Sequence, residues 1–309
     1  MTFAAGDGAV LSSLGVYRYL TSGQLARRHG RSSQVIRRRI REYLRPEGYV
    51  ATLQRHPTEE AAYALGPKGF EYVAHELGCS IADVPAPRNV STVRGFFWKH
   101  TVLVNDIRIT FDLVTSRSSS PIAVERTIAE WEIDPTSDRK APHYERFILS
   151  ERLKGEDGAW RHHRPDCLFL MRAKGAGADQ LVAVFLEADR NTEAMRRIRQ
   201  KLEAYMLYWR RGRFLEAFGA VAMRVLFVLD GVVDRTRIRS MQEQLALLTR
   251  AHGAEGLAFR RCFRFARKRD LDEKTALGER IWWDADDNAR LFFQPTVVHT
   301  AEAHAEAVA

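Results

Sequence analysis

The stretch Arg164-Pro165-Asp166-Cys167-Leu168-Phe169-Leu170-Met171, followed by Leu181-Val182-Ala183-Val184-Phe185-Leu186-Glu187-Ala188-Asp189-Arg190, decides how this chain is read. Each apolar run is short enough for a buried strand, and the two are joined by Lys174-Gly175-Ala176-Gly177-Ala178, a turn composition. The spacing predicts a hairpin with Asp166 at the start of one strand and Glu187 at the end of the other. Adjacent strands lie about 5 Å apart, so acids on neighbouring strands can converge on one cation. Carboxylate oxygens at a sheet edge suit a hard divalent ion held against a phosphate.

Working outward, Thr192 to Trp209 reads as a long helix carrying Lys201 and Tyr205. Arg224 to Leu229 is a short apolar strand, Thr236 to Arg250 a helix, and Leu257 to Phe265 a last strand. Upstream, Phe96 to about Leu113 reads as a helix with Phe97, Val104, Ile107 and Phe111 inward. Pro121 to Ile133 supplies one or two strands. That order predicts an α/β/α sandwich around a mixed sheet.

The N-terminal segment has a different grammar. Val10 to Tyr19 has helical apolar spacing, and Thr21-Ser22-Gly23-Gln24 is a capping box opening a helix through Arg28. Ser32 or Ser33 caps a third helix, Gln34 to Leu44. Val35, Ile36, Ile40 and Leu44 are its expected buried side, and Arg37, Arg38, Arg39 and Arg41 its exposed side. A hairpin about the turn at Arg55-His56-Pro57-Thr58 follows, and Gly66-Pro67 opens a closing helix to Leu77, with Phe70, Val73 and Leu77 on one face. Three helices, a hairpin and a closing helix predict a winged helix-turn-helix, whose arginines suit phosphate contact and guanine reading. Winged helices also serve as protein-interaction modules.

Composition agrees with a globular chain of about two domains: 309 residues, 45% hydrophobic. The net charge of +9 is clustered, which points to a polyanionic partner such as double-stranded DNA. No apolar run approaches a membrane span, and the N-terminus lacks a secretory pattern, so the expected location is cytoplasmic. The three cysteines have neither zinc spacing nor a disulfide framework. The expected domains are residues 1–80, a linker at 81–95 that includes Ala82 to Pro87, the α/β domain at 96–285, and a tail at 286–309.

These elements together resemble the PD-(D/E)XK nuclease superfamily, and the whole chain more closely resembles the replication-relaxation family. The residues that carry the likeness are His100 with Asn105-Asp106, Arg164-Pro165-Asp166, Leu186-Glu187 with Asp189-Arg190 and Thr192-Glu193, and Lys201-Leu202 with Tyr205. It extends from about residue 10 to about 230. The resemblance implies a restriction-endonuclease-like domain behind the winged helix, a role in plasmid replication and DNA relaxation, and replication or mobilisation proteins as partners. Asp166 and Glu187, with the Ala188 carbonyl, would then hold Mg²⁺ or Mn²⁺ for phosphodiester hydrolysis.

The departure is Asp189, where the nuclease pattern has lysine. Three readings stand: a cation arrives from the next helix, with Lys201 first and Arg190 or Arg197 next; Asp189 is a third metal ligand; or the site is inactive and the fold only grips DNA. Lys201 lies about three helical turns beyond Asp189, which leaves its reach open. Arg190 and Arg197 are also expected DNA contacts; His100, with Asn105 and Asp106, is read either as an accessory group approaching from the first helix of the domain or as a structural group satisfied within its own core. Glu193 is read as a helix-dipole partner, Tyr205 as packing, and His162-His163 as a solvated loop, with contact to phosphate or metal the alternative.

Overall fold

The computed structural model describes residues 2–54, 56–88, 95–138, 140–142, 145–174, 180–231 and 235–292. The Gly/Ala turn at 175–178 and the tail beyond 292 lie outside them. Residues 1–109 and 110–309 form two compact units, with the boundary inside one long helix.

The first unit comprises α1 (Ala5–Tyr17), β1 (Leu20–Thr21), α2 (Ser22–His29), α3 (Ser33–Arg39), β2 (Val50–Leu53), β3 (Ala62–Leu65) and α4 (Pro67–Leu77), with the first part of α5 (Gly95–Thr115). The capping box at α2 forms: Gln24 N–H donates to Thr21 Oγ1, and Thr21 N–H to Gln24 Oε1. Ser32 caps α3 by accepting from Val35 N–H. The chain then leaves α3 through a π-helical turn, Ile40–Leu44, closed by Arg45 N–H on the Ile40 carbonyl. That wider turn buries Ile40, Tyr43 and Leu44 together. The strands form a sheet in the order β1-β3-β2. Gly66 and Gly69 are required because a Cβ at either would collide with the carbonyls of Gly48 and Tyr49.

Some apolar positions differ from the periodic expectation. Val35, Leu77 and Phe97 are exposed, at 46%, 62% and 62%. Ile36 and Phe70 are buried as expected, and Trp98 rather than Phe97 is buried at the start of α5. The linker's start is also tied down: Val84 and Ala86 are buried, and Arg18 Nε donates to the Pro85 carbonyl.

The second unit contains β4 (Ile122–Ala129), β5 (Glu151–Lys154), β6 (Trp160–His163), β7 (Cys167–Ala173), β8 (Leu181–Asp189), α6 (Met195–Arg210), α7 (Arg213–Phe218), β9 (Ala222–Leu229), α8 (Arg235–Thr249), α9 (Gly253–Arg260), β10 (Phe263–Arg267), α10 (Thr275–Gly278), β11 (Trp282–Trp283) and β12 (Ala289–Arg290). Seven strands make one mixed sheet in the order β12-β11-β10-β9-β8-β7-β4. β8, β9 and β10 are parallel; β7 is antiparallel to both β8 and β4. The apolar Leu257 segment is helical, in α9, and the strand starts only at Phe263.

The central strands are buried on both faces, which explains their continuous apolar runs. On one face Ala183, Phe185, Val225, Phe227, Phe263 and Phe265 pack with Ile198, Leu202 and Tyr205 of α6 and with Ile238, Met241 and Leu245 of α8. Each large side chain so buried contributes roughly 1.5–3 kcal/mol. Phe111 packs against Phe169, Trp282 and Phe292, at ring separations of 5.2, 6.3 and 5.1 Å. Among the described residues no helix is long and apolar enough to cross a membrane.

Candidate functional site

β7 and β8 pair with Cys167 opposite Leu186, so the residues just beyond, Asp166 and Glu187, face each other at one edge of the sheet. The carboxyl ends of β8 and β9 also point to that edge, which is where ligands bind in open parallel sheets. Asp166 is 8% exposed and Glu187 2%.

Asp166 is fastened to β8. Its N–H donates to the Leu186 carbonyl at 3.1 Å, and its Oδ2 accepts from Ala188 N–H at 2.7 Å. Glu187 has two side-chain donors from α6: Lys201 Nζ at 2.8 Å on Oε2, and the Tyr205 hydroxyl at 2.8 Å on Oε1. Lys201 and Tyr205 are spaced i,i+4, so one helical face presents both to the strand end. Lys201 also meets Glu193 at 3.0 Å.

Burial pushes the Glu187 carboxyl up; Lys201 opposes this, and the neighbouring Asp166 charge adds to it. Burial presses Lys201 down, but the carboxylates of Glu187, Asp166 and Glu193 outweigh it and hold the ammonium charged. The reach of Lys201 is thereby answered: it lies on the second acid.

Asp189 is occupied differently. It is 3% exposed, and its Oδ2 accepts from Arg237 Nε at 2.9 Å and from Arg237 Nη2. Arg237 Nη2 also donates to the Glu193 carbonyl at 2.7 Å, and Thr192 N–H to Asp189 Oδ1 at 3.3 Å. Asp189 thus fastens α8 to the turn between β8 and α6. Among the described residues no group of three or more His, Cys, Asp or Glu side chains is arranged to hold a metal ion.

Of the accessory residues, Asn105 and Asp106 belong to the first unit and bond there. Asn105 is fully buried and donates to the carbonyls of Tyr17 and Tyr19 at 2.7 and 2.9 Å. Asp106 pairs with Arg27 at 2.5 Å. His100 is half-buried on α5. The arginines of α3 and of the π-helical turn after it divide as well. Arg37, Arg38 and Arg41 are exposed. Arg39 turns inward, bonding Asp7 at 2.6 Å and lying 4.2 Å over the Tyr43 ring. Burial pushes the Asp7 carboxyl up, but the Arg39 hydrogen bond and charge outweigh it and hold it below the ordinary range. Arg190 is half-buried and Arg197 exposed.

His163 is not in a solvated loop. It ends β6, is 3% exposed, stacks on Tyr208 at 4.0 Å and meets Tyr205 edge-on at 4.7 Å. Burial pushes its imidazole down to about 3, so it is neutral in the fold. The unfolded chain takes up a proton near pH 6.5 and the folded chain only near pH 3. Stability is therefore lost as pH falls through that window, at roughly 1.4 kcal/mol per pH unit. His163→Phe keeps the stacking and removes the group that takes up a proton on unfolding. Its stability, measured by urea denaturation, is expected to fall by roughly 2 kcal/mol less than wild type between pH 7 and pH 5. Identical pH profiles would refute the assignment.

Sequence reasoning missed Arg237 altogether, and assigned Tyr205 to packing. The i,i+4 spacing of Lys201 and Tyr205 carried the signal for the second; nothing local to Arg237 marks it.

A family model described as replication-relaxation matches residues 11–222. No match was found among curated proteins or among solved structures.

Proposed function

The chain belongs to the replication-relaxation family, and from that premise we propose that it is a DNA-binding, metal-dependent nuclease-like factor that nicks, or helps to nick, DNA in plasmid replication and relaxation. In this reading the first unit is a winged helix-turn-helix on double-stranded DNA. Arg37, Arg38 and Arg41 of its exposed helix face meet the duplex, with Arg197 a further phosphate contact. The second unit is a restriction-endonuclease-like domain.

The observation that carries the reading is the Lys201–Glu187 contact at 2.8 Å beside Asp166. Two acids and a lysine form the nuclease set, here with the lysine delivered from α6 instead of from the strand position of Asp189. The donor chemistry fits Mg²⁺ or Mn²⁺. Asp166 and Glu187 are hard oxygen donors, the Ala188 carbonyl is a third, and Mg²⁺ commonly uses one or two carboxylates plus water and substrate phosphate. Each carboxylate oxygen accepts two hydrogen bonds, so the bonds from Lys201 and Tyr205 leave Glu187 capacity. The ion would supply phosphate polarisation and a lowered pKa for the attacking water. Lys201 would stabilise charge on the phosphate, Tyr205 would hold the Glu187 carboxylate in place, and Asp189 would act as an anchor rather than a ligand.

A second reading, a non-catalytic DNA-binding replication factor, is favoured by one observation: both Glu187 carboxylate oxygens are already engaged, Oε2 by the Lys201 ammonium and Oε1 by the Tyr205 hydroxyl. Thermal unfolding with Mn²⁺ separates the two. Metal at ten times its Kd should add about 1.4 kcal/mol, or roughly 3–5 °C of Tm, and Asp166→Ala should abolish the shift. No shift in wild type, with or without a duplex oligonucleotide, supports the second reading.

A further inference from the structure

β5 and β6 form a ribbon outside the main sheet, with Arg152 opposite His162 and Lys154 opposite Trp160. Residues alternate between its two faces. The inner face carries Glu151, Leu153, Arg161 and His163, and is fully engaged. Leu153 and His163 are buried, Glu151 pairs with Arg213 at 2.7 Å, and Arg161 pairs with Glu203 at 2.7 Å. The acids at the ribbon tip are engaged too: Asp157 with Arg161 at 2.9 Å, and Glu156 with Arg210 at 2.8 Å.

The outer face presents Arg152, Lys154, Trp160 and His162, all exposed and none acidic, with His162 Nε2 hydrogen-bonded to the Ser150 hydroxyl at 2.9 Å. Trp160 is 56% exposed, unusual for the largest side chain of a small ribbon, and the Arg152 guanidinium lies 4.9 Å from its ring centre. Arg211, also exposed, donates to the Lys154 carbonyl at 2.5 Å and adds a third cation. From His163 the chain runs directly through Arg164 and Pro165 to Asp166, a span of about 10 Å at full extension.

We propose that this outer face binds an unpaired DNA strand, with Trp160 stacked on a base and Arg152 and Lys154 on the flanking phosphates, and holds that strand next to the Asp166–Glu187 edge. An exposed aromatic ring framed by cations is the recurrent platform for single strands, because every base has a π face and every linkage a charge. A duplex keeps its bases stacked inside and leaves such a ring without a partner. The inference rests on the reading that DNA is the partner.

The test uses the full chain in EDTA, so that binding is read apart from cleavage. Fluorescence anisotropy follows a fluorescein-labelled oligothymidylate of about 20 nucleotides and, separately, a labelled duplex. Trp160→Ala should weaken oligothymidylate binding roughly 5- to 150-fold and leave duplex binding nearly unchanged. Trp160→Phe should recover most of the loss. The positions are exposed, so Tm should not move. If Trp160→Ala binds oligothymidylate as wild type does, the proposal fails. Equal losses on both probes would mean that the ribbon holds duplex backbone, and would also overturn it. Wild type that binds neither probe would sink the DNA reading itself, a distinguishable result.

Discussion

Lys201→Met is expected to lower stability by about 3–5 kcal/mol and DNA cleavage by roughly 10²- to 10³-fold. The stability loss comes from what is left behind. Glu187 is 2% exposed, faces Asp166, and would keep only the Tyr205 hydroxyl as donor. Glu193 loses the same partner. Removing one member of a buried pair strands the other charge, whereas removing both often costs little. The double variant Glu187→Leu/Lys201→Met should therefore recover most of the stability and none of the activity. Urea denaturation of the four proteins of this cycle measures the coupling directly. A single variant within about 1 kcal/mol of wild type would show that the pair is solvated and that Lys201 does not serve Glu187.

The second large effect belongs to Arg237. Arg237→Leu leaves Asp189 buried with only the Thr192 N–H, and frees the Glu193 carbonyl. The expected loss is again about 3–5 kcal/mol. Arg237→Lys should restore only part, because one ammonium cannot reproduce two guanidinium nitrogens on Asp189 together with a bond to a carbonyl. Asp189→Asn/Arg237→Leu should be more stable than Arg237→Leu alone. The same residue separates anchor from ligand. Asp189→Asn alone should keep the Mn²⁺-dependent rise in Tm that Asp166→Ala loses. Loss of that rise in Asp189→Asn would make Asp189 a metal ligand and reverse the assignment.

These two contacts also mark where sequence reading stops. The β7–β8 pairing was legible because both strands are buried on both faces and their apolar runs are unbroken from Cys167 to Met171 and from Leu181 to Leu186. The caps at Thr21 and Ser32 were legible because capping is local chemistry. Lys201 was named as a candidate, but its reach depends on how α6 crosses the sheet, which no spacing rule contains. Arg237 lies 48 residues from Asp189, with two helices and a strand between them. Nothing in the intervening sequence marks the two as partners. Leu257 misled because a short apolar run reads equally as strand or helix. Val35, Leu77 and Phe97 followed helical periodicity yet face outward, since periodicity gives a stripe and not what covers it. The ribbon of β5 and β6 was hidden by its mixed charges, although Gly155-Glu156-Asp157-Gly158 is a turn between two short alternating segments. Arg39 looked like its neighbours, and only the distant Asp7 sets it apart.

The most direct test of the central claim is supercoiled plasmid incubated with the purified chain and Mg²⁺ or Mn²⁺, beside chelator and beside Asp166→Ala/Glu187→Ala. The account predicts open circles that form with wild type and metal, disappear with chelator, and are absent with the double variant. Plasmid left intact by wild type, yet shifted equally in a gel by both proteins, would contradict a nuclease and leave a DNA-binding factor whose acids only hold the sheet edge together.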